Sequence, residues 1–176
     1  MNERLPFNPL QAQEVAQAFN AAGVDYLFIG KSGAILLGFP GTTQDVDLFP
    51  ARSEDNGRRI VPALLGLGFA LDENTQAEII RGKDFIQLKN GPFDLDLVFA
   101  PDGIESFDQA KTRAIQEDIF PVANLRDIIA SKRASGRQKD KIELPLLESF
   151  RVEFEKLHPP SLRSAKDIAA KKSRGT

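Results

Sequence analysis

The sequence predicts an α/β domain with a mixed central β-sheet flanked by helices and followed by a helical C-terminal section. Short apolar, β-branched runs alternate with helical patterns in the first half of the chain, and helical patterns dominate the rest. A length of 176 residues, 41% of them hydrophobic, suffices for one domain with a core but not comfortably for two. We therefore predict one domain over residues 1–157, with a core at 24–103, a helical section at 104–157 and a basic tail at 158–176.

The first half of the chain gives clear local signals. Asn8 followed by Pro9 is an N-cap with proline at the first helical position, which predicts the first helix. Acidic and apolar residues alternate over 44–49, the period of a strand with one buried face. The predicted elements are a helix that ends before Gly23, a strand at 24–29, a helix through 34–37, a strand at 44–49 and a helix at 57–67.

The second half begins with extended patterns and ends with helical ones. Asn90-Gly91-Pro92 joins two apolar runs, at 85–89 and 93–99, and predicts a β-hairpin. Pro145 interrupts the last helical pattern, so that helix is expected to be kinked or to begin in two pieces. The other predicted elements are a strand at 78–81 and helices at about 104–115, from Asn124 to about 135, and from about 138 to 157.

Composition limits the classes of function. No run of about eighteen apolar residues occurs, and the N-terminus lacks the basic-then-apolar layout of a signal peptide, so we expect a cytoplasmic protein with no membrane partner. Cysteine is absent, and the single histidine, His158, precedes two prolines. Any metal must therefore bind to oxygen ligands, which favours magnesium, manganese or calcium over zinc.

Charge gives a weak signal for nucleic acid. The formal net charge of −2 is not that of a nucleic-acid-binding domain. Residues 161–176 nevertheless carry five basic side chains against one acidic side chain, and such a tail could contact RNA or phosphates. The alternative is a solvated, frayed terminus.

Three acidic residues on apolar strands are the candidates for chemistry. Asp45 and Asp47, at i and i+2 of one predicted strand, share a face with Cα atoms about 7 Å apart. Asp96 lies in another apolar strand, where a charge is costly unless it is paired or bound to metal. Three such acids could hold two magnesium ions about 4 Å apart. The alternative is that each strand simply has a polar outer face.

The triplet Gly30-Lys31-Ser32 follows the first predicted strand. A glycine there lets the backbone approach a triphosphate closely. Gly-Lys-Ser also ends a P-loop, but that motif requires a second glycine at position 25, which is Asp25. We therefore reject the P-loop interpretation.

With these motifs in place, the chain resembles the nucleotidyltransferase superfamily, with a polymerase-beta-like fold. The signature is a glycine with a small residue, a helix, and then Asp-x-Asp. The resemblance covers roughly residues 24–148 and is strongest to the minimal nucleotidyltransferases and the bacterial abortive-infection toxin branch. The matching segments are 28–32, 38–40, 43–48, 95–103 and 124–140.

The resemblance implies roles for particular residues. Asp45 and Asp47 would bind metal, and Asp96 would ligate the catalytic metal and help to deprotonate the acceptor hydroxyl. Asp94, on the same face as Asp96, is the alternative third carboxylate. Lys132 would contact the triphosphate, although it could also be an ordinary exposed helix lysine. The full set of implied nucleotide-binding residues is Gly30, Lys31, Ser32, Thr43 and Lys132.

Two positions depart from the family pattern. Lys31 stands where the family has a second small residue, and Gly41 stands where an arginine is often found. One hypothesis is that a phosphate-binding cation has been relocated, so that Lys31 compensates for the missing arginine. The other is a module that binds nucleotide or a partner protein but has lost catalysis.

The predicted function is transfer of a nucleoside monophosphate from a nucleoside triphosphate to a hydroxyl acceptor, with Mg²⁺ or Mn²⁺. The sequence does not identify the acceptor, which could be a tRNA end, a protein side chain or a small molecule such as an aminoglycoside. The resemblance also suggests a toxin-antitoxin system, with a cognate toxin or antitoxin protein as partner.

Overall fold

A six-stranded mixed β-sheet forms the centre of the fold in the computed structural model, which describes residues 8–159. Most of the predicted basic tail therefore lies outside the described residues. The helices are α1 (Pro9–Ala21), α2 (Gly30–Leu36), α3 (Glu54–Gly66), α4 (Glu73–Arg81), α5 (Phe107–Arg113), α6 (Leu125–Ser135) and α7 (Gln138–Leu157). The strands are β1 (Tyr26–Ile29), β2 (Asp45–Pro50), β3 (Phe85–Leu88), β4 (Asp94–Val98), β5 (Ile115–Glu117) and β6 (Phe120–Val122).

The strands follow the order β3-β4-β2-β1-β6-β5. The β2–β4 and β1–β6 pairs are parallel, whereas β1–β2, β3–β4 and β5–β6 are antiparallel. The mixed sheet flanked by helices confirms the predicted fold class, and β3 and β4 form the predicted hairpin. The two acidic strands, β2 and β4, are direct neighbours near the middle of the sheet.

Alternation along β2 and β4 fixes which face carries the acids. Val46, Leu48, Leu95 and Leu97 are fully buried in the core. Burying one such side chain stabilises the fold by roughly 1.5–3 kcal/mol, and a slip of one residue would expose the whole set. The acidic residues between them are therefore held on the opposite face of the sheet.

Helix packing brings cationic residues to this acidic face. Helix α2 follows β1 directly and packs on α6, and α6 packs on α7. Asn124 caps α6 through its side chain, as predicted, and Gly136 ends the helix in a left-handed conformation (φ 65°). That turn sends the chain back along α6 as α7.

The strand predicted at 78–81 is wrong, because these residues are the end of α4. Asp72 caps that helix by accepting a hydrogen bond from the Thr75 backbone N–H, and Gly82 ends it with a left-handed φ of 72°. The run Glu-Ile-Ile-Arg has the β-branched residues of a strand. Here the two helix ends, and the burial of Ile79 against the core, outweigh that local preference.

The helix predicted at 104–115 is shorter, and a second hairpin follows it. Helix α5 begins after Ser106, which caps it, and β5 begins at Ile115. The β5–β6 hairpin turns at Asp118, a residue other than glycine with a positive φ of 52°, so it lacked the usual sequence signal. Strand β6 extends the sheet by pairing Val122 with Phe28.

Helix α7 is one element with Pro145 inside it, so of the two predicted alternatives, a kink or a start in two pieces, the second is wrong. Proline has no N–H to donate in the helix interior, but the long helix is held by its packing on α6. Among residues 8–159, none of the helices has both the length and the apolar character needed to cross a membrane.

Candidate active site

The parallel pairing of β2 with β4 sets four carboxylates in two adjacent pairs. Asp45 lies beside Asp94 and Asp47 lies beside Asp96 in the strand register. Neighbouring strands are about 4.8 Å apart, so each pair brings two negative charges close together. Asp96 therefore shares its sheet face with Asp47, as the predicted site requires.

Asp47 and Asp96 are poorly compensated by the protein. Burial, and then the negative charge of Asp96, raise the pKa of Asp47 well above its ordinary value. Burial, and then the charge of Asp45, raise the pKa of Asp96 to about 6, against a lowering effect of its hydrogen bond with Asp47. Two acids this close cannot both ionise freely.

One oxygen of Asp96 has no hydrogen-bond partner. Asp96 Oδ1 is the sole buried side-chain polar atom without such a partner in the described range 8–159. Leaving a buried acceptor unsatisfied typically costs about 1–3 kcal/mol, and more for a charged group. Such an atom in a native structure calls for a ligand, and a cation is the natural one for a carboxylate oxygen.

Gly30 makes room for Asp47. Its φ of 62° is left-handed, and a Cβ built there would collide with Asp47 Oδ2. Any other residue would therefore suffer both backbone strain and displacement of the carboxylate. The glycine of the sequence motif therefore makes room for the Asp47 carboxylate, in addition to leaving the backbone open to a ligand.

Ser32 lies behind the site. Its hydroxyl is fully buried, donates to the Ile29 carbonyl and accepts a hydrogen bond from the Asp47 N–H. It thus ties the first turn of α2 to β2 and does not line the cleft that the other predicted residues share. Its contact with the backbone of Asp47 fixes the position of that aspartate.

A cationic cluster forms the other side of the site. Lys31 and Lys132 donate to the two oxygens of Glu143, over 3.0 Å and 3.4 Å. Lys132 also donates to Asp140, at 3.3 Å, and Arg137 donates to the other oxygen of Asp140 at 3.0 Å. These contacts join α2, α6 and α7 through their ionic side chains.

The acids of this cluster are ionised by their partners. Burial acts to raise the pKa of Glu143, but the hydrogen bond from Lys31 and the charge of Lys132 outweigh it and lower the pKa. Asp140 is nearly fully buried, yet the Ser135 hydroxyl and Lys132 lower its pKa against the effect of burial. The cluster is therefore electrostatically satisfied within the protein, in contrast to the aspartate pair.

Both groups face one cleft of about 650 Å³. The predicted residues that line it are Gly30, Lys31, Thr43, Asp45, Asp47, Asp96 and Lys132. Two other cavities, of about 230 and 420 Å³, lie at the edges of the sheet and contain none of the predicted residues. The structure therefore brings all the predicted site residues except Ser32 to one cleft.

Sequence reasoning missed several residues of this cleft. Glu143 and Asp140 lie on one helical face of α7, but only their contact with lysines from other helices makes them part of the site. Phe85, about half exposed, and Gln87 come from the edge strand β3, and Gln87 is the register partner of Asp96. The alternating exposure of β3 could have indicated that these two side chains share the face of the acids.

The donor set suits a hard divalent cation. The carboxylates of Asp45, Asp47 and Asp96 line this part of the cleft, and the orphaned Asp96 Oδ1 is a ready ligand. Within residues 8–159, no group of three or more His, Cys, Asp or Glu side chains is already arranged to hold a metal ion. The three aspartates thus share a face and a cleft without being closed into a coordination cage.

Comparison with known proteins gives a match in structure only. No protein-family model and no curated protein sequence matches the chain. Among solved structures, the chain is similar to the antibiotic-resistance factor ANT(2'')-Ia, with a TM-score of 0.57 and 13% identity. The match covers 95% of this chain and 97% of that one. The fold is the nucleotidyltransferase fold. At this identity the likeness establishes the architecture, and the chemistry must be argued from the residues of the cleft.

Proposed function

We propose that this protein transfers a nucleoside monophosphate from a nucleoside triphosphate to a hydroxyl acceptor, with Mg²⁺ or Mn²⁺. The observation that carries the proposal is the Asp47–Asp96 pair, which lies in a cleft opposite paired lysines and has an orphaned buried oxygen. Nucleotidyl transfer needs both features, because carboxylates hold the metals and cations hold the triphosphate.

The metal ligands in this proposal are Asp45, Asp47 and Asp96. Divalent metal, when bound, would polarise the phosphoryl group and activate the attacking hydroxyl. Ser32 and Gly30 support this set by fixing the backbone of Asp47 and by leaving space for its carboxylate.

The triphosphate in this proposal lies toward α2 and α6. Lys31 and Lys132 supply positive charge there, and Thr43 lines the same part of the cleft beside Asp45. Gly30, at the start of α2, allows a close approach to the backbone. The nucleotide thus spans from the lysines to the aspartates.

The transfer forms one bond and breaks another. The acceptor oxygen bonds to the α-phosphorus, the bond from that phosphorus to the oxygen bridging to the β-phosphate breaks, and pyrophosphate leaves. The carboxylate of Asp96 receives the hydroxyl proton and releases it to solvent. An in-line reaction requires the acceptor to enter on the side away from the leaving pyrophosphate.

The acceptor end of the cleft favours a compact hydroxyl compound without phosphate groups. The part of the cleft wall that comes from β3, from the residue before it and from the segment after β4 contains Asp84, Phe85, Pro101 and Asp102 and no basic side chain. The basic residues that line the cleft are Lys31, Lys132, Arg137 and Lys139, all on α2 or on the α6–α7 side. A nucleic acid would normally need basic groups along its path. The similar fold of an antibiotic-resistance factor also supports a small acceptor.

Nucleoside triphosphates labelled at the α- or the γ-phosphate test the proposal. The full chain is incubated with Mg²⁺ and, separately, a small-molecule extract, RNA or protein, and the product is identified by mass spectrometry. We expect α-label on a small hydroxyl compound and γ-label in pyrophosphate, with neither product in the presence of a chelator. Transfer of γ-label to the acceptor would refute nucleotidyl transfer.

The same experiment separates the other interpretations. Transfer to a tRNA end or a protein side chain would keep the reaction and refute the small acceptor, and it would favour the toxin role suggested by the family resemblance. Binding of metal and nucleotide without transfer of either label would favour a module that retains the fold and has lost catalysis.

A further inference from the structure

Glu143 occupies a distinctive place in the cleft, between two lysines that come from different helices. One carboxylate oxygen accepts from Lys31 at 3.0 Å, and the other accepts from Lys132 at 3.4 Å. The side chains of Lys31, Lys132 and Glu143 are only 19%, 11% and 14% exposed. Ion pairs this buried are far less screened than those on the surface.

The two ammonium groups keep free donor capacity for a ligand. A lysine has three N–H donors. Lys31 gives one to Glu143, whereas Lys132 gives one to Glu143 and one to Asp140. Both lysines line the cleft, so the remaining donors can bind phosphate oxygens without breaking the contacts with Glu143.

The path of Lys31 depends on Gly41. A Cβ added at Gly41 would lie 3.2 Å from Lys31 Cε and 3.4 Å from the ring of Phe39. The backbone of Gly41 has no positive φ, so the position would accept another residue were it not for that crowding. A side chain at position 41 would thus press on the end of the Lys31 side chain and require it to shift.

We infer that Glu143 is a positioning residue that holds Lys31 and Lys132 together as a clamp for the triphosphate, and that positions 31 and 41 can supply only one cation between them. The inference rests on the proposed function, because it assigns the clamp to the nucleotide of that reaction. One arrangement that satisfies this constraint has lysine at position 31 and glycine at position 41, as in this chain. The other has a small residue at position 31 and a long cationic residue at position 41.

The first experiment compares Glu143→Gln with Glu148→Gln. Glu148, also on α7, is a matched control: it likewise accepts from two cations, Arg133 of α6 and Arg151 of α7, but it does not line the cleft. The probes are the α,β-methylene analogues of ATP, GTP, CTP and UTP with Mg²⁺, and dissociation constants are measured by calorimetry on the full chain.

We expect Glu143→Gln to weaken binding of the preferred analogue about tenfold, as the loss of charged hydrogen bonds predicts, and Glu148→Gln to leave it unchanged. KM for the triphosphate should rise by a similar factor in the Glu143→Gln variant, with a much smaller change in kcat. Equal or tighter binding by Glu143→Gln would overturn the inference, because it would mean that the carboxylate competes with phosphate for the lysines.

The second experiment exchanges the cation between positions. Lys31→Ala should weaken triphosphate binding, and Gly41→Arg should also weaken it because the new side chain displaces Lys31. The double variant Lys31→Ala/Gly41→Arg should bind better than either single variant, a strong non-additive effect of the kind expected for residues in contact. A double variant as weak as the sum of the single effects would refute the coupling.

The outcomes also separate this inference from the proposed function. If the wild-type chain binds none of the four analogues with Mg²⁺, both the proposed function and the clamp are refuted. If the wild-type chain binds and transfers nucleotide and the Glu143→Gln variant does so equally well, the proposed function stands and only the role of Glu143 is refuted.

Discussion

The two ends of the cleft handle charge differently. At the strand end, Asp47 and Asp96 lie side by side, and Asp96 Oδ1 is buried without a hydrogen-bond partner. At the helical end, Lys31 and Lys132 are buried to a similar degree but each is already paired with Glu143. The acidic end therefore carries poorly compensated charge that a bound cation would neutralise, whereas the charges of the basic end are already paired within the protein.

Ligand binding should therefore change the protein more at the acidic end than at the basic end. Ligand binding at the acidic end relieves repulsion and desolvation, so it should alter both stability and chemistry. At the basic end it adds contacts to an arrangement that already exists.

Asp96→Asn should have the largest effect, on the chemical step. We expect label transfer to fall by roughly three orders of magnitude or more, because the variant loses a metal ligand and the proton acceptor at the reacting hydroxyl. Triphosphate binding should survive, since Lys31, Lys132 and Asp47 remain. Calorimetry and single-turnover transfer assays measure the two quantities, with the exposed Asp108→Asn as the control outside the cleft. A parallel loss of binding and turnover would contradict the assignment.

Asp47→Asn should remove most of the stabilisation that metal gives. In the wild type, Mg²⁺ or Mn²⁺ should raise the melting temperature, and more so with a triphosphate, because both bind only the native state. The shift at [ligand] about 100 times Kd corresponds to roughly 2.7 kcal/mol. Thermal melts with and without metal measure it. A metal-dependent shift of equal size in the variant would show that the ion binds elsewhere.

Asp140→Asn should destabilise the fold at the basic end. Asp140 is 2% exposed and accepts from Lys132, Arg137 and the Ser135 hydroxyl, so the neutral amide would leave these donors poorly compensated. We expect a loss of about 2 kcal/mol in the free energy of unfolding, measured by urea titration. Glu148→Gln, in the more exposed ion pairs of the same helices, should cost less than about 1 kcal/mol. Equal losses of unfolding free energy in the two variants would show that burial of the cluster does not add to its contribution to stability.

Asp96→Asn should stabilise the metal-free protein at neutral pH by about 1 kcal/mol, less than the roughly 3 kcal/mol that a rise in pKa from 3.8 to about 6 corresponds to, because the buried amide is itself desolvated. The pKa of Asp96 is raised to about 6 by burial and by the charge of Asp45, so ionisation costs stability as pH rises from the unfolded value toward the folded one. The gain should be complete above pH 6 and vanish below about pH 4, where both states are protonated.

Urea titrations in a chelator across this pH range measure the gain. Asp102→Asn serves as the control, because Asp102 lines the same cleft but is exposed. A gain that does not change with pH would arise from some cause other than the charge of Asp96.

The elements that the sequence predicted well have strong local signals. Asn8 with Pro9, the Asn90-Gly91 hairpin and the Asn124 cap each specify a structure within a few residues, and each was confirmed. The segment 78–81 was predicted wrongly as a strand from its β-branched residues. It is helical because Asp72 caps α4 and Gly82 ends it. The β5–β6 hairpin went unpredicted because its turn uses Asp118 and no glycine.

From the sequence alone, the alternation of acidic and apolar residues put Asp45 with Asp47, and Asp94 with Asp96, on one face of their own strands. The sequence also determined that any metal must bind to oxygen, since cysteine is absent and the only histidine lies at 158. Which acids are neighbours on the sheet depends on the parallel register of β2 and β4, which exists only in the folded chain. The tertiary structure alone brought Glu143 between Lys31 and Lys132, because that contact joins residues 112 and 11 positions apart, through helix packing that no local pattern encodes.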